Sequence, residues 1–400
     1  MSKGTRNVPA LRFKGFSDAW EKRKFGDLYS KTSEKNDGSF GPDKIISVAT
    51  MSWKTNVRIS SEDYLATYNV LRKGDIAFEG NKSKKFSFGR FVENDIGDGI
   101  VSHVFVVFRP KVSPIISYWK YFIHNEFVMR NILRKSTIKA TMMTNLSSHD
   151  FLRQTLCTPS FKEQENIGNF LERLDSLIAA TQGKLDNLEK IKRALLKHLF
   201  DQSMRFRGYS DPWEKRKFGE LYKPNKERNE SAEFSSENTL SIATMTVNRK
   251  GNGAAKTSLL KYKVIRIGDI AFEGHTSKKF AFGRFVLNDV ADGIMSPRFT
   301  CLRPIHRQII QFWKQYIHYE PILRPILIRS TKLGTMMNEL VVPDLLKQNI
   351  RVPSINEQKL IGKSLSRVDD LIAATQSKLS SLETLKKALL QGLFHLKRVA

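Results

Sequence analysis

Two short runs of this 400-residue chain carry side chains suited to holding phosphate oxygens. Asn81-Lys82-Ser83-Lys84-Lys85-Phe86 and His275-Thr276-Ser277-Lys278-Lys279-Phe280 each follow the string GDIAFEG (Gly74 to Gly80, Gly268 to Gly274) and lead to a Phe-Gly-Arg ending in Arg90 or Arg284. Ammonium, guanidinium and hydroxyl groups beside backbone amides are the groups that bind nucleic-acid phosphates. The lysine pairs occur in both runs, whereas Asn81-Lys82 stands against His275-Thr276. Two further pairs of polar stretches differ in the same way: Ser102-His103 against Ser296-Pro297-Arg298, and Thr137-Ile138-Lys139 against Thr331-Lys332-Leu333. Shared positions would anchor a backbone, and differing ones would read base edges, for which Asn, Lys, His, Thr and Arg are all competent. At any single position, fold for the shared residues and drift for the differing ones is an equally good account. The set as a whole favours recognition, because the differences cluster in polar loops beside lysines.

Groups that would make the chain an enzyme are harder to find. Gly362-Lys363-Ser364 has the ending of a nucleotide-binding P-loop, but the upstream glycine would fall at Glu357, inside a helical pattern, and the first copy reads Gly168-Asn169-Phe170. There is no Asn-Pro-Pro-aromatic string to hold an adenine amino group, and no GxGxxG after a strand. Pro343-Asp344 followed by Glu357-Gln358-Lys359 matches a PD…ExK metal-nuclease spacing, yet the first copy reads His149-Asp150 and Glu163-Gln164-Glu165, without the lysine. A nucleic-acid hydrolase resting on Glu357 and Lys359 is one alternative, and a basic adaptor without sequence preference is another. His124 and His318 match between copies on an expected amphipathic helix, as core or surface residues and not as ligands or bases. Cys157 and Cys301 are too few for a disulfide framework or a thiolate zinc site, which points to a reducing compartment and no metal.

Lys plus Arg total 67 against 40 for Asp plus Glu, and the formal net charge of +27 calls for a large polyanion. With 40% hydrophobic residues, 26 Phe and 5 Trp the chain can bury sizeable cores, which excludes wholesale disorder. The N-terminus lacks the apolar run of a signal peptide, and no stretch approaches 18 consecutive apolar residues. No terminal lipidation motif or lysine-rich amphipathic helix suggests a membrane surface, so nucleic acid in the cytoplasm is the expected setting.

What must position these loops is a repeated scaffold. Phe13 to Tyr29 (FKGFSDAWEKRKFGDLY) returns as Phe206 to Tyr222 (FRGYSDPWEKRKFGELY) at an offset of 193, and from GDIAFEG onward the offset is 194. Trp119 matches Trp313, Thr141-Met142-Met143 matches Thr335-Met336-Met337, and LIAATQ at Leu177 returns at Leu371. A period this long makes each copy a globular unit, not a solenoid repeat. Within a copy, strand-like runs at Ile45 to Thr50, Asp75 to Phe78, Phe86 to Val92 and Val104 to Phe108 surround one amphipathic helix predicted over Ser117 to Leu133, an α+β pattern. The predicted divisions are recognition units at 1–158 and 202–352 and long helices at 159–201 and 353–400.

Each long helix opens with a proline and an S-x-x-E capping box, Pro159-Ser160 to Glu163 and Pro353-Ser354 to Glu357. A 4-3 apolar stripe follows: Ile167, Leu171, Leu174, Ile178, Thr181, Leu185, Leu188, Ile191, Leu195 and Leu199, then Ile361, Leu365, Val368, Ile372, Thr375, Leu379, Leu382, Leu385, Leu389 and Leu393. Two such stripes of equal length predict an antiparallel coiled coil within the chain, with globular domains at opposite ends of a rod. Packing of each helix on its own domain, or dimerisation through the helices, are the other arrangements compatible with the pattern.

The ordered set of two recognition domains, two P-S-x-x-E-Q helix starts (Pro159 to Gln164, Pro353 to Gln358) and two GDI turns (Gly74, Gly268) resembles the specificity subunit of a type I restriction-modification enzyme over essentially the whole chain. That resemblance implies no catalytic residues here. It implies double-stranded DNA with a bipartite target, one half read by each target recognition domain, and a spacer set by the helices. It also implies two DNA adenine methyltransferase subunits and ATP-dependent translocase/endonuclease subunits as partners, with S-adenosylmethionine, ATP and Mg bound by those partners and no cofactor on this chain. The similarity of the two copies leaves open whether the half-sites are partly alike.

Overall fold

The computed structural model describes residues 7–55, 57, 62–138, 143–250, 253–334 and 337–396. Two compact units emerge: residues 1–182 with 377–400, and residues 183–376. Each is α+β, and each contains half of both long helices.

In the first unit the central element is a four-stranded antiparallel sheet in the order Tyr29–Thr32, Val106–Pro110, Ile76–Glu79, Arg90–Glu93. Its second-unit counterpart runs Tyr222–Pro224, Thr300–Pro304, Ile270–Glu273, Arg284–Leu287. The strand expected from Phe86 begins only at Arg90, because residues 86–89 are needed to close a loop. The GDI motif is part of this scaffold. Gly74 and Gly268 take φ of 90° and 93°, a left-handed conformation that glycine adopts without steric cost. The buried Asp75 carboxylate accepts from Arg72 N and from the Arg109 guanidinium, both at 2.9 Å, and Asp269 repeats this with Arg266 and Arg303.

One face of the sheet is buried under aromatic rings. Phe91 stacks on Phe151 with centroids 4.5 Å apart, and Tyr29 meets Trp119 edge to face at 5.7 Å. The single helix expected over Ser117 to Leu133 is in fact two, Ile116–Phe122 and Glu126–Ser136. Asn125 ends the first and caps the second, its side chain accepting from Phe127 N at 2.9 Å. The second unit has the same break between Ile310–Tyr316 and Glu320–Ser330, where Pro321 takes the start position and needs no intrahelical N–H partner.

The long helices span Phe161–Phe200 and Ile355–Phe394. Their starts differ from a reciprocal capping box. Ser160 Oγ accepts from Glu163 N at 3.4 Å, but the Glu163 carboxylate is held by Arg12 through two bonds of 2.7 and 2.8 Å. Ser354, Glu357 and Arg205 repeat the arrangement at 3.4, 2.6 and 2.9 Å. Gln164 and Gln358 complete the motif by donating to the carbonyls of Pro159 and Pro353 at 3.0 and 2.9 Å.

Within each unit the two helix halves pack together. In the first unit Ile167 and Leu171 share a core with Leu393 and Phe394, and Lys386 reaches Asp175 at 2.5 Å. As one number rises the other falls, so the halves run antiparallel. In the second unit Ile361 and Leu365 share a core with Leu199 and Phe200, and Lys192 reaches Asp369 at 2.5 Å. Ile191 and Leu385 leave the predicted stripe and are about half exposed, while Lys192 and Lys386 beside them take the interhelical contact. An α-helix of 3.6 residues per turn drifts away from a strict 3.5 repeat, and here the drift has turned these positions outward.

Candidate nucleic-acid interface

In each unit several loops meet at one end of the four-stranded sheet. Glu79 lies opposite Arg90, so residues 80–89 form the loop between those strands. Phe78 lies opposite Val106, so the turn 102–105 entering that strand emerges at the same end. The hairpin of Thr137–Ile138 and Asn145–Leu146 joins them through Thr144 N, which donates to Gly80 O at 2.9 Å. A Cβ on Gly80 would lie 2.3 Å from Thr144 O, and one on Gly274 would lie 2.0 Å from Asn338 O, so these close approaches require glycine. The second unit repeats the pairing, with Glu273 opposite Arg284 and Phe272 opposite Thr300.

The lysine loop is shaped from below. Ser83 N donates to Phe86 O at 2.9 Å and Phe86 N donates to Ser83 Oγ at 3.1 Å, while the buried Phe86 ring meets His124 edge on at 4.9 Å. Burial pushes the His124 pKa down to about 4, so the ring is neutral, with Nδ1 3.2 Å from the Phe91 carbonyl it donates to. Ser277, Phe280 and His318 form the same arrangement, and burial likewise lowers the His318 pKa. Asn81, Lys82, Lys84 and Lys85 are thereby left exposed, as are His275, Thr276, Lys278 and Lys279. Lys85 and Lys279 lie over the Phe86 and Phe280 rings at 5.0 and 5.1 Å, a cation–π contact that holds each ammonium at the loop.

Arg90 and Arg284 behave differently. Arg90 Nε donates to the buried Glu79 carboxylate at 2.5 Å and Nη2 donates to Ala49 O at 2.9 Å, with the guanidinium 5.3 Å from the Phe86 ring centroid. Arg284 does the same with Glu273, Ala243 O and Phe280 at 2.5, 2.7 and 5.4 Å. These arginines therefore brace the lysine loop against a hairpin formed by Ile46–Ser47 and Ser52–Trp53, or by Leu240–Ser241 and Thr246–Val247.

Among the remaining predicted positions, His103, Arg298 and Lys332 are exposed, and Ser102 and Ser296 are half-buried in their turns. Thr137 and Thr331 donate their hydroxyls to Leu133 O and Leu327 O at 2.7 and 2.8 Å, ending the preceding helices. Lys139 lies outside the described residues. The hairpin turns at Thr50 and Thr244 were not among the predicted positions, although the repeat of Ala49-Thr50-Met51 as Ala243-Thr244-Met245 marks them.

The nuclease alternative fails on geometry. Both Glu357 oxygens accept from Arg205 and the residue is 2% exposed, so its carboxylate is built into the helix start and not open to a metal ion or a substrate. Among the described residues no group of three His, Cys, Asp or Glu side chains could hold a metal ion. No helix among them is long and apolar enough to cross a membrane.

One buried acid distinguishes the first unit. Glu93 is 2% exposed, neither carboxyl oxygen has a partner, and Leu287 stands at the matching position. It lies behind a cleft of about 1070 Å³ bordered by Asp95, Lys120, Tyr121, Asp175 and Lys386. Burial first, and the Asp95 charge second, hold its pKa well above the usual range, against an opposing pull from Lys120. The folded state therefore binds a proton that the unfolded state releases above about 4.5. The associated stability is full below that value and is lost as pH rises toward the raised folded pKa, at up to about 1.4 kcal/mol per unit. Glu93→Leu is expected to stabilise the first unit by about 1 to 3 kcal/mol at neutral pH and to flatten this dependence. Calorimetric unfolding across pH 4 to 8 checks both; a variant that melts lower and keeps the wild-type slope contradicts the assignment.

A family model described as the type I restriction modification DNA specificity domain matches residues 17–190 and again 210–384. A putative type I restriction enzyme MjaX specificity subunit from Methanocaldococcus jannaschii is 21% identical over 302 residues, covering 71% of this chain and 69% of that protein. Among solved structures, the S subunit of a type I restriction-modification system from M. genitalium aligns over 98% of this chain and 100% of its own, at 14% identity and a TM-score of 0.57. The HsdS subunit from Thermoanaerobacter tengcongensis aligns over 95% and 98% at 17% identity and a TM-score of 0.50. A chain from a study of complex assembly and conformational transition of the type I R-M system aligns over 94% and 97%, at 18% identity and a TM-score of 0.52. With two domain matches that together cover most of its length, the chain belongs to the family of type I restriction-modification DNA specificity subunits, which are non-catalytic.

Proposed function

We propose that each unit reads one half of a bipartite double-stranded DNA target and that the chain directs adenine methylation or ATP-dependent restriction by partner subunits. The observation that carries this is one scaffold used twice with different tips: the same braced lysine loop presents Asn81-Lys82 in one unit and His275-Thr276 in the other. The lysines contact phosphates, and the differing tips meet base edges in the groove. S-adenosylmethionine, ATP and Mg belong to the partners in this reading, and the chain acts in the cytoplasm.

Two methyltransferase subunits are the partners that the repeat favours. The register through Asp175 and Lys386 puts Leu177 and Leu385 at one level of the first unit's helix pair, and the register through Lys192 and Asp369 does the same for Ile191 and Leu371. All four side chains are roughly half exposed, so both units repeat the same pair of exposed apolar residues, which a partner subunit on each would cover.

Replacing Lys84, Lys85, Lys278 and Lys279 by Ala is expected to weaken binding to specific and random duplex alike. It should flatten the dependence of log K on log salt by about 0.9 per lost phosphate contact. Replacing Asn81, Lys82, His275 or Thr276 should instead change preference at individual base pairs. Titrations over a salt series separate the two, and an unchanged slope in the lysine variant contradicts phosphate anchoring.

A further inference from the structure

We propose that the turn from Ser47 to Ser52, with its counterpart from Ser241 to Thr246, is a second, uncharged clamp on the DNA backbone, acting beside the lysine loop. This rests on the DNA-binding reading above and adds to it a class of contact that charge alone does not reveal.

Each turn gathers three hydroxyls at the surface. Thr50 Oγ1 lies 2.9 Å from Ser47 Oγ and 2.8 Å from Ser52 Oγ, and Thr244 Oγ1 lies 3.0 and 2.8 Å from the hydroxyls of Ser241 and Thr246. Thr50 donates to Ser47, so Ser52 donates to Thr50 and the proton left for an outside acceptor is that of Ser47; the same directions in the second unit leave the proton of Ser241. Thr50, Ser52, Thr244 and Thr246 are exposed and Ser47 and Ser241 are half-buried, so none of the six is a fully buried group that the cluster is needed to satisfy.

The turn is also held in an unfavourable shape in both units. Met51 and Met245 have φ of 44° and 47°, a left-handed conformation seldom taken by a residue other than glycine, Asn or Asp. Strain of this kind persists where surrounding contacts over-determine it. Here the constraint is visible: Ala49 O accepts from Arg90 and Ala243 O accepts from Arg284. Those arginines lie over the same Phe86 and Phe280 rings that carry Lys85 and Lys279. Hydroxyl turn and lysine loop are therefore parts of one braced surface.

Position 52 is Ser and its match at 246 is Thr, so the hydroxyl survives although the next residues, Trp53-Lys54 and Val247-Asn248, differ completely. A group kept in both units while its neighbours change suits the feature common to both half-sites, the phosphate backbone, and not the bases, which the differing tips read.

The test uses the full-length chain with Ser47→Ala, Ser241→Ala and both together, titrated over a salt series with a duplex carrying the recognised motif and with a random-sequence duplex. Each single change is expected to weaken binding roughly three- to tenfold on both duplexes, as loss of one neutral hydrogen bond does. The slope of log K against log salt should stay at its wild-type value, because a neutral donor releases no counterion. Ser47→Thr and Ser241→Thr, which keep the hydroxyl, should bind like wild type. Wild-type affinity in the double Ala variant, with the lysine variant still flattening the slope, overturns the clamp and leaves the DNA-binding reading standing. A loss confined to the recognised duplex also overturns it, since the turn would then read bases. Absence of salt-dependent binding by the wild-type chain would refute the underlying reading itself.

Discussion

Exchanging residues 21–158 for the recognition domain of a related chain is expected to change one half of the methylated motif completely and to leave the other half as it was. The structure supplies the reason for cutting there. Glu21 lies directly opposite Thr158 in the antiparallel pair Glu21–Lys24 and Thr155–Thr158, so a graft enters and leaves through one rung of a two-stranded neck. Glu214 opposite Val352 is the same neck in the second unit. All loops proposed to touch DNA in the first unit lie between those cut points, while the Ser160 helix start and the Arg12 clamp lie outside them. Sequencing modified adenines in cells carrying the parent and the exchanged chain gives the result directly. Alteration of both halves would show that the two units do not read independently.

Arg12→Met is expected to cost about 3 to 5 kcal/mol in the first unit, because it leaves the Glu163 carboxylate buried without its counter-charge. Glu163 is 1% exposed and receives two guanidinium bonds of 2.7 and 2.8 Å, so no solvent replaces the lost partner. Arg205→Met should cost at least as much in the second unit. There the guanidinium also donates to Asp211 O at 3.0 Å, whereas the buried Nη1 of Arg12 has no partner. Replacing both members of a pair, as in Arg12→Met with Glu163→Met, should recover most of the loss, since removal of a whole buried ion pair is often close to neutral. Denaturant unfolding of the single and double variants measures this. A single variant within 1 kcal/mol of wild type would mean that the pair is not the clamp its geometry indicates.

The features behind these two expected outcomes are unequally legible in the sequence. Repetition at a fixed offset made the doubled scaffold visible, and with it the lysine loops and the two helix starts. The partner of the helix-start glutamate was not visible, since Arg12 and Glu163 are 151 residues apart and only the fold brings them together. Arg90 looked like a phosphate ligand because its type and its neighbours suit one; strand register instead places it opposite Glu79 and turns it into a brace. The break at Asn125 was hidden by continuous apolar spacing, although Pro321 and Pro325 in the second copy are hints that helix geometry changes there. Ile191 and Leu385 followed the heptad on paper but are half exposed, because drift of a real helix over 40 residues is not contained in a seven-residue template. Left-handed backbone at Met51 and Met245 has no signature in residue type at all.

In the proposed function one chain specifies two separate blocks of DNA sequence, one through each unit. Mapping modified adenines across the genome in cells with and without this chain, with the partner subunits unchanged, tests it most directly. The expected result is a motif that appears only when the chain is present, made of two specified blocks separated by an unspecified spacer. A methylation pattern indifferent to the chain, or a single contiguous motif, would contradict it.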